Sequence, residues 1–268
     1  MDKKNLIIIA AVCGFGIAVI LRFLLGAHGT PAPSQAPVTG PAAEAASFEA
    51  QGKLLAAKAA YQKLVSDYPN SKDVIQWQHK AEQLNIELLF SPVITPKSIE
   101  YVVKPGDSLD RIARDHKTTV ELIQKANSIS ADRIYPGMKL KVWNAPFTIL
   151  VDKASNLLLL KCDEEVFKTY TVATGHDNCT PIGTFKIIEK IVKPTWYKDN
   201  KAIPASSPEN ILGTRWMGFD KEGYGIHGTT LPDSLGKQAT AGCVRMANRD
   251  VEELFSIVPQ GTEVTIVN

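Results

Sequence analysis

The spacing of hydrophobic and polar positions changes rhythm several times along this chain. From Leu6 to Ala27 the residues are apolar almost without a break, with Arg22 the single charge and Lys3 and Lys4 just ahead of the run. About 20 apolar residues span a bilayer core, and flanking lysines favour a cytoplasmic N-terminus. Residues 1–28 therefore predict a single transmembrane helix anchoring an exported chain. A cleaved signal peptide is the rival reading, although Ala27-His28-Gly29-Thr30-Pro31 makes a poor cleavage site. Residues 29–46, rich in Pro, Ala, Gly and Thr and nearly uncharged, predict an extended linker. Over 47–90, Leu54, Ala57, Tyr61, Leu64 and Tyr68 recur at helical spacing, Pro69-Asn70-Ser71 interrupts, and Val74, Trp77, Ala81, Leu84 and Leu88 resume it. This predicts a helical hairpin with Asn70 or Ser71 capping its second helix.

Residues 100–144 change pattern within a few residues of each other. Tyr101-Val102-Val103 predicts a short strand, and Asp107 stands where it can cap a helix bearing Leu109, Ile112 and Ala113. Thr118 with Glu121 reads as a capping box for a second helix carrying Leu122, Ile123 and Ala126. Pro136-Gly137 then turns the chain into a closing strand from Lys139 to Trp143, giving an α+β, βααβ unit. From 147 to 268 the period becomes that of strands: 148–151, 157–161, 166–172, 184–188 and 264–267 are β-rich, with turn signals between them. One late helix is expected over 248–257, capped near Asn248. The expectation is a multidomain chain ending in a mostly-β, sandwich-like or barrel-like domain.

Composition alters this picture little. A net charge of +2 with no basic tract gives no argument for a nucleic-acid partner. The four cysteines show no Cys-x-x-Cys spacing, so no metal and no cofactor are expected. Cys13 lies within the apolar run. Export would permit a disulfide between Cys162 and Cys179; two unrelated thiols are the alternative.

The candidate chemistry lies late in the chain, in Gly225-Ile226-His227-Gly228-Thr229 and Thr240-Ala241-Gly242-Cys243-Val244-Arg245. A thiol is the strongest common side-chain nucleophile near neutral pH, and an adjacent imidazole activates it. Cys243 is thus the candidate nucleophile and His227 the general base and acid. No Asp or Glu stands in either motif, so a backbone carbonyl is the expected partner of the imidazole. Backbone amides around Gly242, with Gly228, are candidates for holding an oxyanion. Arg245, Thr229 and Thr240 are candidate substrate contacts; Arg245 could bind a carboxylate or brace its loop. Trp196, Tyr197, Trp216 and Tyr224 could line a cleft or pack in the core.

These motifs, with Tyr170-Thr171-Val172-Ala173-Thr174-Gly175 and Thr180-Pro181-Ile182-Gly183-Thr184-Phe185 before them, resemble the L,D-transpeptidase (YkuD-type) catalytic domain over 147–268. The resemblance implies attack by Cys243 on a peptidoglycan tetrapeptide stem and transfer of the acyl group to an amine of a neighbouring stem, giving a 3–3 cross-link. Hydrolysis by an L,D-carboxypeptidase and a catalytically silent peptidoglycan-binding scaffold are the alternatives. Family members commonly carry a histidine where this chain has Ala241, which leaves the reaction preference open. Residues 100–144 resemble a LysM domain through Tyr101, Gly106-Asp107-Ser108-Leu109, Ile112-Ala113, Asn127 and Pro136-Gly137-Met138-Lys139-Leu140. That likeness implies a glycan groove between the loops at 106–109 and 130–135, with Gly106, Asp107, Ser108 and Ile134 as candidate contacts. The 47–90 hairpin is similar to one tetratricopeptide unit and is a possible site for a protein partner. The implied address is the cell envelope, with an inner-membrane anchor and periplasmic or extracytoplasmic domains.

Overall fold

A computed structural model describes residues 39–130 and 133–268, so the apolar run expected to span a membrane lies outside the described residues. Among the described residues no helix is long and apolar enough to cross a membrane. The chain divides into two units, one of residues up to 91 together with 164–168, the other of 92–163 and 169–268.

The first unit contains three helices, α1 (Thr39–Ala50), α2 (Leu54–Asp67) and α3 (Val74–Leu89). The extended linker expected over 29–46 is therefore corrected from Thr39 onward, and the hairpin becomes a three-helix arrangement. Alanine is the best helix former, and Ala45 of α1 is fully buried in one core with Ala57, Tyr61, Leu64, Trp77 and Leu84. Glu49 of α1 accepts from Tyr61 and pairs with Lys80, which ties α1 to the other two helices. The expected cap is also corrected: α3 starts after Asp73, and Ser71 Oγ accepts from the Asp73 amide instead.

The second unit begins with β1 (Ser98–Val102), α4 (Leu109–Asp115), α5 (Val120–Ala126) and β2 (Lys139–Trp143). β1 and β2 pair antiparallel from Ser98↔Trp143 to Val102↔Lys139, and the helices bury Leu109, Ile112, Ala113 and Ile123 against Leu140 and Val142. Both caps sit one residue later than the sequence suggested. Ser108 accepts from Arg111 N and Thr119 from Leu122 N. Asp107 is taken up by the turn before α4, where it receives the Tyr101 hydroxyl and the Lys104 amide. Gly106 (φ +84°) and Gly137 (φ +87°) hold turns in the left-handed region that favours glycine. Asn127 closes the module, donating to the carbonyls of Ile123 and Lys141 and accepting from the Lys141 amide.

The remaining strands are β3 (Phe147–Asp152), β4 (Leu157–Cys162), β5 (Glu165–Gly175), β6 (Gly183–Val192), β7 (Trp196–Lys198), β8 (Lys201–Ile203), β9 (Arg215–Phe219), β10 (Gly225–His227), β11 (Gln238–Thr240), β12 (Val244–Met246) and β13 (Glu263–Val267). Nine of them form one sheet in the order β11-β5-β12-β10-β9-β6-β13-β3-β4, and β4 also pairs with β5. The sheet thereby closes on itself, which leaves few free edges. Alternation sets the inner face: Val264 and Ile266 of β13 are buried while Glu263 is exposed, and they lie in parallel register with Ile149 and Val151.

Helix α6 (Asn248–Ile257) packs against β9 and α5, burying Val251, Leu254 and Phe255. Thr119 Oγ1 donates to the Ser256 carbonyl and Lys125 Nζ to Ser256 Oγ, so the βααβ module is fastened to α6. On the other side Lys190 donates to the carbonyls of Phe255 and Val258 at the C-terminal end of α6, where a cation also complements the helix dipole. These contacts place α6, whose first residue reaches the candidate site, between the two parts of the unit.

Candidate active site

The two sequence motifs meet through strand pairing. β10 and β12 run parallel with Ile226 opposite Val244 and His227 opposite Arg245. Side chains alternate along a strand and paired residues share a face, so His227 and Arg245 leave the sheet on one side. Cys243 lies in the turn that leads directly into β12. β9 covers the other edge of β10, with Trp216 opposite His227; the two rings stack at 6.1 Å. Glycine is required where the backbones crowd: a β-carbon on Gly225 would stand 2.5 Å from the Met217 carbonyl oxygen.

His227 is buried, and its Nδ1 lies 2.6 Å from the Gly228 carbonyl oxygen. A carbonyl only accepts, so Nδ1 carries the proton and Nε2 is left with its lone pair. The orienting group is thus a backbone carbonyl. Burial pushes the imidazole down to about 4, with a further push from the Arg245 charge, opposed by the backbone hydrogen bonds at Gly228 and Leu212. The ring is neutral at neutral pH. Cys243 is half-buried, and burial raises its thiol, against a backbone hydrogen bond at Gly225 and the Arg245 charge, which lower it. Its Sγ donates to the Gly223 carbonyl at 3.4 Å, not to His227. Burial thus disfavours both the thiolate and the imidazolium.

The turn carrying Cys243 is held by one hydroxyl. Thr240 Oγ1 donates to the Cys243 carbonyl at 2.6 Å and accepts from the Gly242 amide at 3.2 Å. Gly242 has φ +122°, and a β-carbon there would meet Tyr224 Cε1 at 2.8 Å. The Gly228 amide donates to the Arg215 carbonyl at 3.1 Å. Both glycine amides expected to receive an oxyanion are thus engaged within the protein. Thr229 and Thr240, expected to touch substrate, are buried and serve the fold, Thr229 Oγ1 accepting from Leu231 N. Arg245 is buried and donates through Nη1 to Ser234 Oγ.

Asn248 was expected to cap α6, yet Ala247 is the N-cap and the Asn248 carboxamide turns to the site. Its Oδ1 accepts from the amides of Thr214 and Thr229, and its Nδ2 donates to the Thr229 carbonyl. This carboxamide pins the segment after His227; a β-carbon on Gly228 would lie 2.3 Å from it. Cap chemistry before a helix was the visible signal, and it pointed to the wrong partner. Cys179, which the sequence offered only as a disulfide candidate, is exposed and sits beside the turn, its carbonyl 3.6 Å from where a β-carbon on Gly242 would stand. None of Cys162, Cys179 and Cys243 is in a disulfide, so the Cys162–Cys179 bridge is not formed; Cys162 is buried beside Lys97. Tyr197 is largely exposed on the β7–β8 hairpin, away from any role in the core. In the βααβ module Gly106 and Ser108 are exposed, whereas Ile134 packs against the module's core.

The family model of the L,D-transpeptidase catalytic domain matches residues 146–266, and that of the LysM domain matches 101–143. The putative L,D-transpeptidase YkuD of Bacillus subtilis is 35% identical over 175 residues, covering 63% of this chain and 98% of its own length. Putative L,D-transpeptidase YqjB of the same organism is 43% identical over 126 residues, covering 45% of this chain and 70% of its own. The solved structure of an L,D-transpeptidase from Mycobacterium smegmatis superposes with a TM-score of 0.41 at 20% identity, covering 49% of this chain and 64% of that one. The chain belongs to the L,D-transpeptidase family, with a LysM domain ahead of its catalytic domain.

Proposed function

We propose that Cys243 carries out acyl transfer on peptidoglycan stems with His227 as its base and acid. The observation that carries this reading is the parallel β10–β12 pairing, which sets His227 opposite Arg245, two residues after Cys243. The thiol leaves the Gly223 carbonyl, passes its proton to Nε2 of His227 and attacks the carbonyl of the third residue of a tetrapeptide stem. The C–N bond breaks as His227 returns that proton to the departing amine, leaving a thioester on Cys243. An amine of a neighbouring stem then attacks and gives its proton to His227, and the C–S bond breaks as the thiol is restored. This is a ping-pong sequence. Because the imidazole is neutral down to about pH 4, it is available as a base across the physiological range.

The product with an amine acceptor is a 3–3 cross-link, a role in wall biogenesis and cell shape; with water it is a trimmed stem. The LysM domain supports glycan binding beside the catalytic domain, and the Leu6–Ala27 run with its flanking lysines supports an envelope address with a membrane anchor. The helices of the first unit offer a surface for a protein partner. The full chain in detergent, incubated with tetrapeptide muropeptides and analysed by mass spectrometry, tests the reaction. Cross-linked dimers support transfer and tripeptides alone support hydrolysis. Unchanged substrate with glycan still bound overturns the enzymatic reading.

A further inference from the structure

We propose that Arg245 is the subsite for the free α-carboxylate of the residue released from the donor stem, confining cleavage to the terminal peptide bond; this rests on the acyl-transfer reading above. Arg245 is 5% exposed, faces the same side of the sheet as His227, and belongs to the strand that begins directly after the nucleophile. Its Nη1 donates to Ser234 Oγ at 3.0 Å, while its buried Nε has no acceptor. Among the described residues no carboxylate lies within ion-pair distance of the guanidinium. Arginine stays charged in proteins, and a buried charge without a counter-ion is costly to keep. A guanidinium held in place by one serine, with its Nε edge unmet, is built to receive an anion in a two-pronged grip.

The reaction supplies that anion at the required distance. In the residue that leaves, a single carbon separates the scissile nitrogen from the terminal carboxylate. Every other carboxylate of the stem lies on the acyl side of the attacked bond. Two residues span at most about 7 Å, a gap that one amino-acid residue and the arginine side chain together bridge. A longer stem would put its carboxylate one residue too far, and an amide at that end would leave the guanidinium unpaired. Arg245 thereby selects stems by where they end.

The test compares a synthetic tetrapeptide stem ending in D-Ala with the same peptide ending in the carboxamide. Release of the fourth residue by the full chain is followed for wild type, R245K and R245Q. Wild type should favour the acid in kcat/KM by about 10- to 100-fold, the range of a charge-assisted hydrogen bond. R245K should keep part of that ratio, and R245Q should bring it close to one. If R245Q slows both peptides together and retains the ratio, or if wild type takes both equally, the assignment is overturned and Arg245 is a brace. Should R245Q fail to fold, R245K decides: a ratio identical to wild type with the lower charge-to-carboxylate fit overturns the bidentate grip. If wild type releases neither residue, the acyl-transfer reading itself has failed.

Discussion

Asn127 and Asn248 use the same carboxamide in the same way at two scales. Each makes three hydrogen bonds to backbone groups of segments that would otherwise part. Asn127 works within the LysM module, tying α5 to β2 only 14 residues away. Asn248 reaches 19 residues back to Thr229 and 34 back to Thr214, across two strands of the barrel. The difference is one of consequence: the first carboxamide closes a small fold, whereas the second fixes the exit of the strand that carries His227. A polar residue that satisfies its neighbours stabilises a module. The same residue type spanning distant segments positions the imidazole proposed as the base.

The sharpest test of that separation is Cys243→Ala. It should reduce stem turnover by about 10⁴-fold or more, as loss of a nucleophile does, and abolish covalent capture by a carbapenem, while glycan retention by the LysM domain stays intact. Covalent labelling of the Ala variant would sink the assignment of the nucleophile.

Acid should divide the two regions next. The unfolded chain takes up a proton on His227 near its ordinary value of 6.5, whereas the folded chain takes it up only near 4 because burial excludes the charge. Between those values the unfolded state binds more protons, so stability is full above about pH 6.5 and falls as pH drops towards 4. The loss should be on the order of 3 kcal/mol. Hydrogen exchange should show the β9–β10–β12 strands loosening first, and His227→Gln should flatten the pH dependence. A barrel as stable at pH 4.5 as at pH 7.5 would contradict it.

The paired carboxamides come third. Asn127→Ala and Asn248→Ala should each cost about 2–3 kcal/mol in urea unfolding, since each strands backbone groups. Only Asn248→Ala should also lower kcat on a soluble tetrapeptide, by about 10- to 100-fold, through misplacement of His227. Equal activity losses in the two variants would erase the contrast. The smallest effect is expected at Ser108→Ala, where losing the cap of α4 should cost about 1 kcal/mol and leave turnover unchanged.

Much of the fold was readable because its signals are local. Helical spacing over Leu54–Asp67 and Val74–Leu89, and alternation in β3, β4 and β13, depend on neighbours a few residues apart. The strands of the site were not readable. β10, β11 and β12 have three residues each, too short for a period, and they become strands only because the closed sheet pairs them. Caps were misplaced by one residue at Ser108 and Thr119 because several adjacent polar side chains offer the same chemistry, and backbone geometry chooses among them. The alanine-rich stretch from Thr39 was misread because its low charge suggested a linker, whereas burial of Ala45 made it a helix.

By itself the sequence determined the reactive parts, a thiol at Cys243, an imidazole at His227 and a guanidinium at Arg245, and their order within two short motifs. Only the tertiary structure decided their state. Parallel pairing placed His227 and Arg245 on one face, and burial disfavours charge on the thiol and the imidazole. Among the described residues no carboxylate pairs with the buried Arg245 guanidinium. Residue type sets what a group can do, but its protonation and partners depend on solvent exclusion by segments remote in the chain, and no local pattern encodes that.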